Sequence, residues 1–253
     1  MRIDLNSDLG EGFGLWRMGE DAALLDLVSS ANIACGGHAG DPEVMAETLA
    51  AAAARGVVIG AHPGYADREG FGRRVIPMAP AAIGRMVAAQ IGALAGVAAL
   101  AGAEIRYVKP HGALANLAAE DRAVAQAIVA AVACQPGALA VLAISGSVLE
   151  GVARAAGLET YSEIFADRGY RADGRLVARG APGALIEDAQ AAAARLLGFL
   201  ESGEMPVVGG GGLRLAAQSV CIHGDGPGAL AMARAVRARL EEAGVVIAPF
   251  LGG

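Results

Sequence analysis

The most constraining feature of this chain is a regular alternation of short apolar runs with longer alanine-rich runs along its 253 residues. Short apolar runs bounded by glycine and polar residues are typical of buried strands, and longer alanine-rich runs are typical of helices. The predicted strands are Ile3–Leu5, Ala31–Cys35, Val57–Ala61, Ile105–Val108, Ala138–Ile144, Thr160–Ile164, Ser219–Ile222 and Val245–Ala248. The predicted helices are Asp21–Val28, Pro42–Arg55, Ala81–Ala101, Asp121–Ala133, Ser147–Ala156, Glu187–Glu201 and Gly228–Ala243.

This order of elements favours a barrel. About eight strand–helix alternations predict an α/β fold, a distorted or incomplete (β/α) TIM-like barrel that forms one domain over residues 1–253. An open doubly wound sheet is the alternative, because the same alternation also builds that fold. Two segments interrupt the pattern. Residues 170–182 ("YRADGRLVARGAP") predict a hairpin around Asp173-Gly174, and the "GGGG" at 209–212 predicts a mobile loop.

Composition excludes several classes of protein. A hydrophobic content of 55% with 18% charged residues is enough for a packed core and excludes a disordered chain. The net charge of −6 and the lack of a long basic run argue against nucleic-acid binding. The apolar stretch from Ala79 to Gly102 contains Arg85 and Gln90, so we do not predict a membrane span there.

The cysteines and the first residues predict a cytoplasmic protein. Cys35, Cys134 and Cys221 are widely spaced, odd in number and without a CxxC motif, which is typical of reduced thiols rather than disulfides or a zinc knuckle. We expect Cys35 and Cys221 to pack in the core. The opening "MRIDLNSDLGEG" has an acidic residue at position 4, unlike a signal peptide.

All four histidines come just after predicted strands, next to glycine or proline. They lie in "CGGHAGDP" (His38), "GAHPGY" (His62), "KPHGAL" (His111) and "CIHGDG" (His223). In a parallel α/β barrel or sheet, ligands bind at the carboxyl ends of the strands. The sequence therefore predicts that the four imidazoles point into one mouth.

Other polar groups follow the same rule. The residues concerned are Asp4, Asn6, Asp8, Glu11, Arg73, Arg74, Glu163, Asp167, Arg168 and Asp225. Asp4, Asn6 and Asp8 are spaced by two, which places them on one side of an extended segment. Each group also has a structural alternative: Asp4 as a turn cap, Asp167–Arg168 as a surface turn, and Arg73–Arg74 as a solvated face. The joint placement at strand ends favours a functional site.

With these motifs assembled, the chain resembles the LamB/YcsF family, the proteins that form the A subunit of 5-oxoprolinase. The resemblance is carried, in order along nearly the whole chain, by "DLNSDLGEG", "SSANIACGGHAGDP", "GAHPGYADREGFGRR", "VKPHGAL", "EIFADRGYRADGRLVARGAPGALI" and "CIHGDG". It implies a distorted barrel related to the glycoside hydrolase and deacetylase type. It also implies ATP-dependent opening of the 5-oxoproline lactam to L-glutamate, with 5-oxoprolinase subunits B and C as partners.

The chain departs from the family pattern at two positions. Gly37 stands where the family usually has phenylalanine, and Ala115 stands where it has tyrosine. Both changes remove bulk near the histidines of the expected site, so the shape of the pocket and the size of the lactam are open.

The chemistry of lactam opening assigns roles within the set. An amide carbonyl needs an activated water or an activated carbonyl, and the leaving nitrogen needs a proton. We predict Asp8, Lys109, His111 and Glu163 as catalytic residues. The predicted substrate-binding residues are Asn6, Asn32, His62, Arg73, Asp167, Arg168, His223 and Asp225. Since related deacetylases use a metal, Asp8, His38 and His62 are candidate ligands for a divalent ion, with a metal-free site as the alternative.

Three functional hypotheses stay open from the sequence. The first is a component of 5-oxoprolinase, with ATP and Mg²⁺ as co-substrate. The second is a metal-dependent deacetylase of an N-acetylated carbohydrate, and the third is a non-catalytic subunit that binds the lactam. The sequence has no GxxxxGK[ST] P-loop, no GxSxG and no HExxH motif, which argues against independent ATPase activity, a serine triad and a zincin site.

Overall fold

A computed structural model describes residues 1–226 and 228–251. Its strands are β1 (Arg2–Leu9), β2 (Ser30–Ala34), β3 (Val58–His62), β4 (Ile105–Val108), β5 (Ala140–Ile144), β6 (Thr160–Phe165), β7 (Glu204–Pro206), β8 (Gly212–Arg214), β9 (Ser219–Ile222) and β10 (Val246–Ile247). Strands β1 to β6 pair in parallel in chain order, β6 pairs with β9, and β9 pairs back with β1. Seven parallel strands therefore close into a barrel, which confirms the barrel prediction and rules out the open sheet.

Helices surround the barrel. They are α1 (Asp21–Leu25), α2 (Pro42–Ala54), α3 (Pro80–Ala101), α4 (Gly112–Ala118), α5 (Arg122–Ala133), α6 (Val148–Ala155), α7 (Ala189–Ser202) and α8 (Ala229–Glu242). Local chemistry sets several ends. The Asp41 carboxylate accepts hydrogen bonds from the backbone N–H groups of Glu43 and Val44 at the start of α2. Gly102, with φ of 64°, ends α3 in the left-handed conformation.

Several element bounds differ from those predicted. β1 continues to Leu9 instead of ending at Leu5, because the barrel interior provides partners for its polar residues. β10 is not a barrel strand; it pairs only with the start of β1, at Arg2 and Ile3. Helix α4 was not predicted, and the "GGGG" segment forms the turn of the β7–β8 hairpin. The turn at Asp173-Gly174 is present as predicted.

The two faces of β1 show how the barrel is built. Ile3, Leu5 and Leu9 are buried in the apolar core with the surrounding helices. Asp4 and Asn6 alternate with them and bond to side chains of the neighbouring strands. The burial of the outward face stabilises the fold through the hydrophobic effect. The inward face is polar, unlike the layers of branched aliphatic residues that fill most such barrels.

One glycine in the barrel wall is required by a close approach. A Cβ atom at Gly60 would overlap the ring of Tyr107 on the neighbouring strand. With glycine there, the Tyr107 ring lies across the interior and its hydroxyl donates to Asn32 Oδ1 at 2.6 Å.

Helix α3 is the one helix of the described ranges that is long and apolar enough to cross a bilayer by length and composition. A core helix of a soluble protein meets the same criterion. Ile83, Val87, Ile91 and Leu94 of α3 are buried in the apolar core of the barrel.

Candidate active site

The carboxyl ends of the barrel strands enclose a cavity of about 330 Å³. Ligand sites of parallel α/β barrels lie at this end, because the loops that follow the strands form the rim there. The predicted site residues that line the cavity are Asp8, His62, Arg73, Lys109, His111, Glu163, Arg168 and His223. Polar groups that are far apart in the sequence therefore converge in one pocket.

The remaining predicted residues support the pocket through their neighbours. Asn32 Nδ2 donates to Asp8 Oδ1 at 2.9 Å and to Asn6 Oδ1 at 2.6 Å, deeper in the barrel. Asp167 pairs with His223, and Asp225 accepts from Arg73 Nη2 at 2.5 Å. These side chains hold the lining residues in place.

Lys109 is the central cation of the pocket. It follows β4, and its side chain is 5% exposed. Its Nζ lies 2.8 Å from Glu163 Oε1, 3.0 Å from Asp8 Oδ1 and 3.1 Å from Asn6 Oδ1. Nζ also contacts Cys221 Sγ at 3.0 Å, so Cys221 has a polar contact in addition to its packing in the core.

These contacts set the charges at the pocket floor. Burial by itself would lower the pKa of Lys109, but the acidic groups around it, Asp8 first, raise that pKa well above its ordinary value. Burial would raise the pKa of Asp8, and His62 and Lys109 outweigh it and lower that pKa well below its usual range. The pKa of Glu163 is raised, because burial outweighs the effect of Lys109. At neutral pH the floor thus holds the Lys109 ammonium against the Asp8 carboxylate.

His223 follows β9 directly and has its own acidic partner. Its ring stacks on Phe165 with 5.5 Å between centroids and an interplanar angle of 15°. Its Nδ1 lies 2.7 Å from Asp167 Oδ2. Among the described residues, no side chain or backbone group bonds its Nε2, which leaves that nitrogen available to a ligand in the pocket.

His111 and His62 have a different environment. His111 Nε2 lies 2.9 Å from the Phe71 carbonyl oxygen, and His111 Nδ1 lies 2.9 Å from His62 Nε2. His62 Nδ1 lies 2.7 Å from the Lys109 carbonyl oxygen. Burial lowers the pKa of His111 well below its ordinary value. Both ring nitrogens of His111 are therefore engaged within the protein.

Glu11 and His38 lie next to these two histidines. His38 Nε2 is 3.0 Å from Glu11 Oε1, and its ring stacks on His111 with 3.6 Å between centroids and a 4° interplanar angle. Burial raises the pKa of Glu11 to about 8 and lowers the pKa of His38 to about 3. The stack needs a glycine at Gly72, where φ is 61° and a Cβ would lie 2.9 Å from His111 Cδ2.

Three arginines reach the pocket with different contacts. Arg73 pairs with Asp225 at the rim. Arg168 donates from Nε to the Ala184 carbonyl and from Nη2 to the Val177 carbonyl, which ties down the segment that follows β6. Arg179 lines the cavity, and no carboxylate of the described ranges forms an ion pair with it. The sequence analysis gave Arg179 no role, although it lies in the quoted "YRADGRLVARGAP" segment.

The two departures from the family pattern lie in different places. Ala115 lines the cavity, where a larger side chain would occupy ligand space. Gly37 is outside the lining, and a Cβ there would lie 2.7 Å from Gln90 Nε2. The Gln90 side chain fills that position and bonds both the N–H and the carbonyl of Gly64. Of the two, Ala115 bears on the shape of the pocket.

The residues predicted as metal ligands fall into two clusters. Glu11, His38, His62 and His111 present donor atoms within 4.8 Å of one another, and Asp8, Cys221 and His223 do the same separately. His38 and His62 thus belong to one cluster and Asp8 to the other. Glu11 is the carboxylate that accompanies the imidazoles, and the sequence analysis did not assign it to a metal.

The fold and site together define a parallel α/β barrel protein with an ionisable pocket at the carboxyl ends of its strands. The model of the LamB/YcsF family matches residues 3–252, and the chain belongs to that family.

Its relatives extend over the full length. The chain is 52% identical to the 5-oxoprolinase A subunit of Azorhizobium caulinodans over 98% of each chain. It is 50% identical to the 5-oxoprolinase A 3 subunit of Pseudomonas syringae pv. tomato, covering 99% of this chain and 98% of the relative. The crystal structure of the lactam utilization protein from Thermus thermophilus is 43% identical, with a TM-score of 0.91 over 98% of this chain and 99% of that one.

Proposed function

We propose that this chain is the lactam-opening subunit of an ATP-dependent 5-oxoprolinase, which converts 5-oxoproline to L-glutamate. The names of its full-length relatives support a role in 5-oxoprolinase. The observation that carries the chemical part is the juxtaposition of Lys109, held by Asp8 and Glu163, with the His223–Asp167 pair in one small cavity. An amide hydrolase needs both a cation for developing negative charge and a proton donor for nitrogen.

ATP makes the lactam a better electrophile. Transfer of the terminal phosphoryl group to the lactam oxygen gives a phosphorylated imidate. Water then adds to the ring carbon, the carbon–nitrogen bond breaks and the nitrogen takes a proton, which leaves an acyl phosphate. A second water releases phosphate, so lactam, ATP and two waters yield glutamate, ADP and phosphate. Because the chain lacks a P-loop, phosphoryl transfer is placed on partner subunits B and C, with Mg²⁺ bound to the ATP there.

The pocket residues take roles that fit their contacts. The Lys109 ammonium stabilises negative charge on the substrate oxygen or its phosphoryl group. The Asp8 carboxylate, whose pKa is lowered, orients the attacking water, and Glu163 holds Lys109. His223 donates the proton to the leaving nitrogen through its free Nε2, and Asp167 fixes its tautomer.

His111 was predicted as the acid or base, but its two engaged nitrogens support a positioning role instead. Arg179 is assigned to the substrate carboxylate, since it is the cavity arginine without an ion-pair partner among the described residues. The three free cysteines are consistent with the cytoplasmic location that we propose.

The direct test is release of glutamate from 5-oxoproline by this chain mixed with subunits B and C, with and without ATP. The relative from Azorhizobium caulinodans serves as the positive control. Release that requires both ATP and this chain is the expected result. If the partners support release with the relative but never with this chain, the proposed activity is wrong.

A further inference from the structure

The contact between His62 and His111 has an unusual property that the proposed reaction does not use. His62 Nδ1 lies 2.7 Å from the Lys109 carbonyl oxygen, and His111 Nε2 lies 2.9 Å from the Phe71 carbonyl oxygen. A carbonyl oxygen only accepts, so each of these nitrogens carries its hydrogen. In the neutral rings, the remaining nitrogens, His62 Nε2 and His111 Nδ1, are therefore both acceptors.

Those two acceptors face each other at 2.9 Å. Two lone pairs at this distance repel, and the site is buried, so water does not relieve the repulsion. A cation that both lone pairs bind would convert the repulsion into coordination. Glu11 supplies an anionic donor at the same place, since its Oε1 lies 3.5 Å from His111 Nδ1.

Ring orientations decide which imidazoles can bind one ion. A metal ion lies near the plane of each imidazole, along the nitrogen lone pair. The planes of His62 and His111 are at 86°, so their lone pairs can meet at one point. His38 and His111 are parallel and 3.6 Å apart, which keeps their lone pairs from converging. His38 instead bonds Glu11 at 3.0 Å and orients that carboxylate.

We propose that Glu11, His62 and His111 bind a divalent transition metal ion of the zinc type at the wall of the catalytic cavity. Neutral imidazoles and a carboxylate are the ligands that zinc prefers when no thiolate is present, and three protein ligands leave one coordination position open. This ligand set replaces the predicted combination of Asp8, His38 and His62. Asp8 lies 3.4 Å from His62 Nε2 and belongs to the separate cluster with Cys221 and His223.

The surroundings of the three ligands support the assignment. In metal sites a ligating histidine commonly donates its other N–H to a backbone carbonyl or carboxylate, as His62 and His111 do here. Without an ion, burial raises the pKa of Glu11 to about 8, so the carboxyl has no strong positive partner. A bound dication supplies that charge.

The test measures metal binding and is independent of the lactam reaction. The full chain is stripped with a chelator at about pH 7.5, where neutral imidazoles predominate, and titrated with Zn²⁺, and separately with Co²⁺, whose visible absorption reports coordination by nitrogen and oxygen. We expect about one ion per chain, with the absorption intensity of a four- or five-coordinate site. Glu11→Gln and His111→Asn should each lose stoichiometric binding, and His38→Gln, which only orients Glu11, should weaken it about 10- to 100-fold.

His223→Asn is the matched control, because it removes an imidazole from the other cluster and should leave binding unchanged. Circular dichroism and thermal unfolding of every variant separate loss of the site from loss of the fold. Two results would overturn the proposal. One is a folded wild-type chain that takes up no ion in excess metal. The other is binding that survives both Glu11→Gln and His111→Asn but disappears in His223→Asn.

Discussion

His223 Nδ1 lies 2.7 Å from one oxygen of Asp167 and 3.0 Å from the other. The carboxylate thus determines which ring nitrogen carries a hydrogen and in which direction the ring points. Burial alone would raise the pKa of Asp167, but His223 lowers it below its ordinary value, so Asp167 is anionic at neutral pH. This pair is the best-oriented acid–base unit in the cavity.

The pair predicts a specific kinetic phenotype. His223→Gln should lower kcat about 10²- to 10⁴-fold, the usual contribution of a positioned acid or base, with little change in KM. Asp167→Asn leaves the imidazole in place but changes its tautomer and charge, so it should lower kcat and change the pH profile of turnover. Steady-state kinetics of the assembled enzyme across pH would check this. A kcat for His223→Gln within a factor of about two of wild type would exclude the residue as proton donor.

Lys109 predicts a stability effect. Lys109→Met leaves Asp8 and Glu163 buried without their cation and should lower the free energy of unfolding by about 3–5 kcal/mol. The double variant Lys109→Met/Glu163→Gln should recover part of that loss, since one of the two acidic groups becomes neutral. Urea unfolding monitored by circular dichroism measures both.

Arg214→Gln, which breaks an exposed pair with Glu204, serves as the control and should change stability by less than about 0.5 kcal/mol. If the double variant is no more stable than Lys109→Met, Glu163 does not depend on Lys109 for its charge balance.

Much of this site was predictable because its signal is local. The spacing of two between Asp4, Asn6 and Asp8 placed them on one side of an extended segment, and they do share the barrel interior. The end of β1 was misplaced at Leu5 for the same reason. A run of polar residues suggests a loop, unless partners such as Ser219 and Glu163, which are distant in the sequence, satisfy it.

Other features depend on long-range geometry that no local pattern contains. The closure of the barrel is set by the pairing of β9 with β1. The tautomers of His62 and His111 depend on carbonyl groups of Lys109 and Phe71, so their facing acceptors could not be read from the motifs. The role of Arg179 depends on the path of the segment after β6, for which the sequence predicted only a hairpin.

Asp4 predicts a pH dependence of stability. Burial raises its pKa from 3.8 to about 6, against the opposing hydrogen bonds from Ser219, Ser29 and Ser30. Between these values the folded chain holds more protons at Asp4 than the unfolded chain does. The contribution to the free energy of unfolding is therefore complete below pH 3.8 and is lost as the pH rises through about 6.

Asp4→Asn removes this titration, so the difference in unfolding free energy between wild type and variant isolates it from other groups. That difference should fall from about pH 4 to about pH 6 and then become constant. Urea unfolding at a series of pH values measures it. A difference that does not vary with pH would show that Asp4 titrates normally in the folded chain.

Ala115 predicts how the pocket selects the size of the lactam. Ala115→Tyr places a phenol in the cavity and should reduce kcat/KM for a six-membered lactam acid more than for 5-oxoproline, because the larger ring needs the space beside Ala115. Competition between the two substrates in one assay gives the ratio directly. Ala119→Ser, at the end of the same helix, controls for general effects on α4. Equal losses for both lactams would show that Ala115 does not set ring size.

Arg179 predicts a binding phenotype that distinguishes it from the residues of the pocket floor. A charge-assisted hydrogen bond to the substrate carboxylate is worth about 1.5–3 kcal/mol, so Arg179→Gln should raise KM about 10- to 100-fold with kcat nearly unchanged. Arg175→Gln is the matched control. It lies on the same segment and pairs at the surface with Glu120 and Asp173.

The same two variants separate binding from catalysis with a substrate analogue. Replacing the carboxylate of 5-oxoproline by a neutral amide removes the partner of Arg179, so wild type and Arg179→Gln should then have similar KM values. If Arg179→Gln lowers kcat while KM stays constant, the guanidinium acts on the transition state instead. In that case its partner is the charge that develops at the lactam carbonyl or on the phosphoryl group, next to Lys109.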